Sequence, residues 1–117
     1  MAEVLIVDNS AVVRKIVRRA LEPMAFRIRE ATNASQALAA CSLAMPDAIL
    51  LDGDMPEIDA CELVKRIRRL PGSTETRVVV SFSENDPLRL ARAIYSGFND
   101  FILKPFDADL LRSKFSF

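Results

Sequence analysis

Residues 48–56 read AILLDGDMP, and this stretch decides the fold. Ala48 to Leu51 is an unbroken apolar run, as a strand buried on both faces requires. It ends on Asp52, and Gly53, Asp54, Met55 and Pro56 follow as a turn-forming loop. A strand that leaves the core and at once presents two carboxylates needs partners from elsewhere in the chain. An Asp after a strand is more often a turn or cap residue than a reactive one, so those partners decide its role.

Outward from this strand, apolar and amphipathic segments alternate. Val4–Val7 is a second continuous apolar run. Ser10 is placed to cap a helix with Val12, Val13, Ile16, Val17, Ala20 and Leu21 at helical spacing, which Pro23 closes. Residues 26–30 alternate apolar with charged, as an edge strand does. An Ala-rich helix spans 35–44. After the acidic loop a helix runs from about 59 to 70, with Asp59 a better helix cap than site residue. Residues 77–82 form a β-branched strand. Asp86-Pro87 opens a helix that Gly97 stops. Residues 101–103 form a short strand, and Lys104-Pro105-Phe106 leads into a last helix from Asp107, short as in a trimmed chain.

Five repeats of strand then helix predict one α/β domain over 1–117, a five-stranded parallel doubly wound sheet with helices on both faces. Ligands in such folds sit beyond the carboxyl ends of the strands. That rim gathers Asp8 and Asn9, Asp52, the run Ser81-Phe82-Ser83, and Lys104.

Composition narrows the chemistry. With no histidine among 117 residues, imidazole acid–base catalysis, Ser-His triads and the usual zinc sites are excluded. Sixteen basic and 16 acidic residues cancel, so bulk polyanion binding is not indicated. The acidic start lacks the pattern of a signal peptide, and no apolar run is long enough to span a membrane. Cys41 and Cys61 sit in apolar helical patterns and read as reduced, buried thiols of a cytoplasmic protein. What remains is a carboxylate pocket with one lysine. Its oxygen ligands suit Mg²⁺, and a carboxylate beside such a cation can accept a phosphoryl group.

The segments "VLIVDNS" with Arg14, "PDAILLDGDMPEIDACEL" and "GFNDFILKPF" together resemble the receiver domain of bacterial two-component response regulators, over essentially the whole chain. The resemblance implies a CheY-like, flavodoxin-like fold. It implies Asp52 as phosphoacceptor, Asp8, Asn9, Asp52 and the Asp54 backbone carbonyl as Mg²⁺ ligands, and Lys104 as the phosphoryl-binding cation before a cis Lys104–Pro105 bond. It also implies a histidine kinase or phosphotransfer protein as donor and a downstream protein as target, with no enzymatic activity beyond self-catalysed transfer and dephosphorylation. No DNA-binding domain is legible in the 117 residues.

The chain departs from the family pattern at three places. Asn9 stands where a second carboxylate is usual. Counting back from Lys104 puts Phe82 where a Thr or Ser hydroxyl is usual, flanked by Ser81 and Ser83, so Phe82, Ser83 and the aromatic Phe101 form an unusual switch set. Ala60 replaces a glycine. A further reading concerns arginine, which supplies twelve of the 16 basic residues. Arg89 and Arg92 share a helix face, and Arg112 on the last helix could join them to bind an acidic partner. The alternative function is a degenerate receiver that binds an anionic nucleotide, such as a cyclic dinucleotide, on that face. A Mg²⁺ phosphatase is a third class, disfavoured because Asp8-Asn9-Ser10 lacks the Asp-x-Asp those enzymes carry.

Overall fold

Strands β1 (Glu3–Val7), β2 (Arg27–Ala31), β3 (Ala48–Asp52), β4 (Arg77–Phe82) and β5 (Asp100–Leu103) alternate with helices α1 (Ala11–Leu21), α2 (Ala34–Leu43), α3 (Ala60–Arg68), α4 (Pro87–Tyr95) and α5 (Ala108–Lys114) in the computed structural model. It describes residues 2–83 and 86–116, without the side chains of Arg89, Leu90 and Ala93. All strand pairs are parallel, in the order β2-β1-β3-β4-β5. This is the doubly wound sheet expected from the alternation.

The apolar runs explain the order. All five residues of β3 are buried, as are four of the five in β1, so these strands take the centre. The charged alternation of β2 leaves it at an edge. Side chains alternate across the sheet. Leu5, Val7, Ile49, Leu51, Val78, Val80 and Phe82 pack with α2 and α3 on one face, and Val4, Ile6, Leu50 and Val79 pack with α1 and α5 on the other.

Helix starts follow side-chain capping. Ser10 accepts from the Val13 amide, Asp59 from Cys61, and Asp107 from Asp109 and Leu110. Helix α2 begins at Ala34 because Asn33 caps it through the Gln36 amide, while the Gln36 carboxamide accepts from Thr32. Gly97 adopts a φ of 109° after α4, and the Lys104–Pro105 bond is cis. Cys41 is buried, and burial pushes its thiol up to about 11. Cys61 departs from the expectation: it is half-buried, because it lies in the first turn of α3 at the edge of a groove.

At the end of the fold away from the rim, Arg68 ties three segments together. Its guanidinium donates to the carbonyls of Ser73, Thr76 and Gly97 and to Asn99 Oδ1. All of these acceptors are neutral, and burial lowers the pKa of Arg68.

Gly53 is where the sheet admits no side chain. A Cβ there would lie 2.5 Å from Phe82 Cε1 and 2.6 Å from the Ser81 carbonyl oxygen. Gly53→Ala is therefore expected to cost about 3 kcal/mol, because either the Phe82 ring or the β4 backbone must shift. Chemical denaturation measures it. A loss below about 1 kcal/mol would show that Phe82 is not packed over this position.

Candidate functional site

The carboxyl ends of β1, β3 and β5 bring three charged groups into one cluster. Asp8 follows β1 and is 3% exposed, and Asp52 closes β3 at 5% exposed. Lys104 follows β5, and its Nζ lies 3.1 Å from Asp52 Oδ1 and 3.3 Å from Asp8 Oδ2. Burial disfavours the ammonium, but the hydrogen bond to Asp52 and the charges of Asp52 and Asp8 outweigh it. The pKa of Lys104 therefore lies above the ordinary lysine value.

Backbone amides complete the carboxylate contacts. The Asp54 amide donates to Asp52 Oδ1 at 2.9 Å, and the Ser10 amide donates to Asp8 Oδ1 at 2.8 Å. Both contacts on Asp52 fall on the same oxygen. Among the described residues Oδ2 accepts no hydrogen bond, which makes it the oxygen available to an incoming group.

Asn9 is exposed beside this cluster. Among the described residues no three His, Cys, Asp or Glu side chains converge as a metal site. A cation here has the Asp8 and Asp52 carboxylates, with the Asn9 amide oxygen and the Asp54 carbonyl as neutral oxygen donors. This all-oxygen set fits a hard divalent ion of the Mg²⁺ type, which tolerates few protein ligands and keeps its own waters.

Phe82 is the last residue of β4, and its carbonyl accepts from the Lys104 amide. Val78, Val80 and Phe82 point to the same side of the sheet, so the Phe82 ring, 3% exposed, joins the apolar cluster there. Phe101 is half-buried against the same cluster, with Lys114 Nζ 5.8 Å from its ring centroid. Ser81 pairs with Asp52 across β3 and β4. Ser83 donates through both its amide and its hydroxyl to Asp54 Oδ2, each at 2.8 Å. The Asp54 side chain thus ties the acidic loop to the β4–α4 loop, a contact that sequence spacing does not announce. Ala60 is buried in the cluster at the start of α3, where it has a packing role.

Arg92 and Arg112, expected to join on one face, are not brought together. Arg92 donates to Asp59 at the cap of α3. Arg112 donates to the Ala20 carbonyl of α1 and to Asp109 of its own helix. Each already has a carboxylate, and the two are anchored to helices on opposite sides of the sheet. Arg89 belongs to α4, but its side chain is outside the described residues. Beside the exposed Arg92, α4 presents three large apolar side chains to solvent: Leu88, Ile94 and Tyr95 are 77%, 62% and 92% exposed.

Among known proteins, the model of the response regulator receiver domain matches residues 4–116. The two-component response regulator ORR3 of rice is 35% identical over 103 residues, covering 87% of this chain and 79% of that protein. The chemotaxis protein CheY of Bacillus subtilis is 32% identical over 107 residues, covering 91% and 88%. In three dimensions, the chemotaxis protein CheY4 of Vibrio cholerae superposes with a TM-score of 0.92 at 28% identity, covering 98% of this chain and 96% of that one.

Proposed function

This chain belongs to the response regulator receiver family, and from that premise we propose that it accepts a phosphoryl group on Asp52 from a histidine kinase or phosphotransfer protein and signals by binding a downstream protein. The observation that carries the reading is the Asp8–Lys104–Asp52 cluster, with Asp52 Oδ1 held by two donors and Oδ2 left to react.

In the transfer, Asp52 Oδ2 attacks the phosphorus of the donor. The bond from phosphorus to the donor's imidazole nitrogen breaks, and its electron pair leaves with that nitrogen. Lys104 turns from the two carboxylates to the phosphoryl oxygens, and its raised pKa keeps it charged through neutral pH. A Mg²⁺ held by Asp8, Asn9, Asp52 and the Asp54 carbonyl would neutralise charge on the same phosphoryl oxygens. An apolar groove of about 460 Å³ beside Lys104, lined by Val13, Ile16, Ser83, Pro105 and Phe106, offers the donor protein a seat next to the reacting oxygen. The exposed apolar residues of α4 suit a protein as the output partner. Among the described residues no arginine cluster supports the nucleotide alternative, since Arg92 and Arg112 are held apart.

Incubation with acetyl phosphate and Mg²⁺, followed by intact-mass measurement, tests the reading. One added phosphoryl group is expected, and none without Mg²⁺. An unmodified protein under both conditions would contradict it.

Cation affinity gives a second check. Asn9 contributes an oxygen but no charge, so Asn9→Asp is expected to tighten Mg²⁺ binding on the order of tenfold. Titration followed by amide chemical shifts measures the change. Unaltered affinity would mean that Asn9 does not face the cation.

A further inference from the structure

Phosphoryl transfer as proposed makes no use of a chain of side chains that runs from α1 to the end of β1. Arg14, with its side chain 14% exposed, donates through Nη1 to the Asp8 backbone carbonyl at 2.6 Å and through Nε to Glu30 Oε1 at 2.8 Å. Arg18 grips the other Glu30 oxygen at 2.7 Å. The hydrogen bond from Arg18, opposed by partial burial and joined by Arg14, holds Glu30 below the usual glutamate range. Glu30 therefore stays ionised as the anchor of both arginines at neutral pH.

Asp8 is consequently fixed at every polar atom. Its amide donates to the Ala31 carbonyl, its carbonyl accepts from Arg14, Oδ1 accepts from the Ser10 amide, and Oδ2 accepts from Lys104. The Asp8 carbonyl belongs to the peptide that leads into Asn9. If that peptide rotates, Asn9 swings away and the turn closed by the Ser10 amide opens. Arg14 is the side chain that prevents the rotation, and its planar guanidinium points Nε at Glu30 and Nη1 at the carbonyl in one rigid fork, a geometry that the single nitrogen of a lysine does not reproduce.

We infer that Arg14 is a positioning residue, which sets the direction of Asp8 and Asn9 toward the cation while Glu30 and Arg18 hold it in place. The inference rests on the proposed reading of Asp8 as a Mg²⁺ ligand. Its competitor is a pure charge effect, and the two have opposite signs. A positive group near a cation site repels the cation, so deleting Arg14 for its charge alone would tighten Mg²⁺. Deleting it as a positioning group loosens Mg²⁺, and supports of this kind are typically worth on the order of tenfold or more in affinity.

The experiment compares the parent, Arg14→Ala, Arg14→Lys and Arg18→Ala by Mg²⁺ titration, and follows exchange of the Ser10 amide hydrogen without metal. The inference expects Arg14→Ala and Arg14→Lys both to weaken Mg²⁺ on the order of tenfold and to speed Ser10 exchange. Arg18→Ala leaves Asp8 untouched and removes a half-exposed side chain, so it serves as the variant that folds in any case. It is expected to weaken Mg²⁺ by a smaller factor in the same direction. Tighter binding in Arg14→Ala and Arg18→Ala, with Arg14→Lys like the parent, would overturn the inference in favour of charge. Unchanged variants beside a parent that binds Mg²⁺ would overturn it alone. A parent without any Mg²⁺ response would overturn the phosphoacceptor reading and this inference with it.

Discussion

Asp52→Asn is expected to take up no phosphoryl group under conditions that modify the parent. The substitution keeps the size of the side chain and keeps an oxygen that can accept from the Asp54 amide and from Lys104, as Asp52 Oδ1 does. The fold and the seat for Lys104 should survive, so lost uptake reports on chemistry. A carboxamide is a far poorer nucleophile than a carboxylate, and the expected effect is loss of modification to the limit of detection, on the order of a hundredfold or more. Asp8 is fully committed to hydrogen bonds and Asp54 is held by Ser83, so neither is expected to substitute. Persisting modification in Asp52→Asn, read by intact mass, would move the acceptor to one of them.

Lys104→Met is expected to cause a large loss of stability that Mg²⁺ reverses. Methionine approximates the length of lysine but leaves two buried carboxylates, each with a side chain 5% exposed, facing each other without their cation. Removing one partner from such a cluster costs about 3 kcal/mol, which for a domain of this size lowers Tm by on the order of 10 °C. Mg²⁺ should recover much of the loss, so the rise in Tm on adding Mg²⁺ should be larger in the variant than in the parent. The pH dependence follows from the sign of the shift. The folded pKa of Lys104 is raised, so its contribution is fully present below the unfolded value near 10.5 and is lost as pH rises through the folded value. The difference between parent and variant should therefore be constant across neutral pH and shrink only at the alkaline end. Thermal melts with and without Mg²⁺ decide it. Equal Tm values in the absence of metal would show that Lys104 does not compensate the two carboxylates.

The strands and their rim were legible because apolar runs as unbroken as Val4–Val7 and Ala48–Leu51 have few places to go other than the middle of a parallel sheet. Ser10, Asp59 and Asp107 announced helix starts, since each has a side-chain oxygen just ahead of an amphipathic segment. Element ends were read less closely. Asp52 is itself the last strand residue, and the cap of α2 is Asn33, one residue before the helix. At the end of β4, counting back from Lys104 drew attention to Phe82 as a replaced hydroxyl. The alternation Val78, Val80, Phe82 carried the other half of the information, that this ring belongs with the apolar side of the sheet.

That Arg92 and Arg112 lie apart was not legible, for a different reason. Helical spacing tells which arginines share a face of one helix, but not which carboxylate another element brings to them. Asp59 is 33 residues from Arg92 in sequence. Arg112 is drawn to α1 because α5 packs there through Leu111 and Phe115. The Arg14 contact to the Asp8 carbonyl was hidden for the same reason, since an interaction with a backbone atom leaves no complementary residue type to find.

The central claim is that Asp52 carries the phosphoryl group as an acyl phosphate. Reduction by borohydride converts an acyl phosphate to the corresponding alcohol and leaves free carboxylates unchanged, so it marks the acceptor permanently. The measurement is peptide mapping by mass spectrometry after phosphodonor, Mg²⁺ and borohydride. Homoserine at position 52, absent without the phosphodonor, is the predicted result. Conversion at Asp8 or Asp54 instead, or no conversion in a protein shown to bind Mg²⁺, would contradict it.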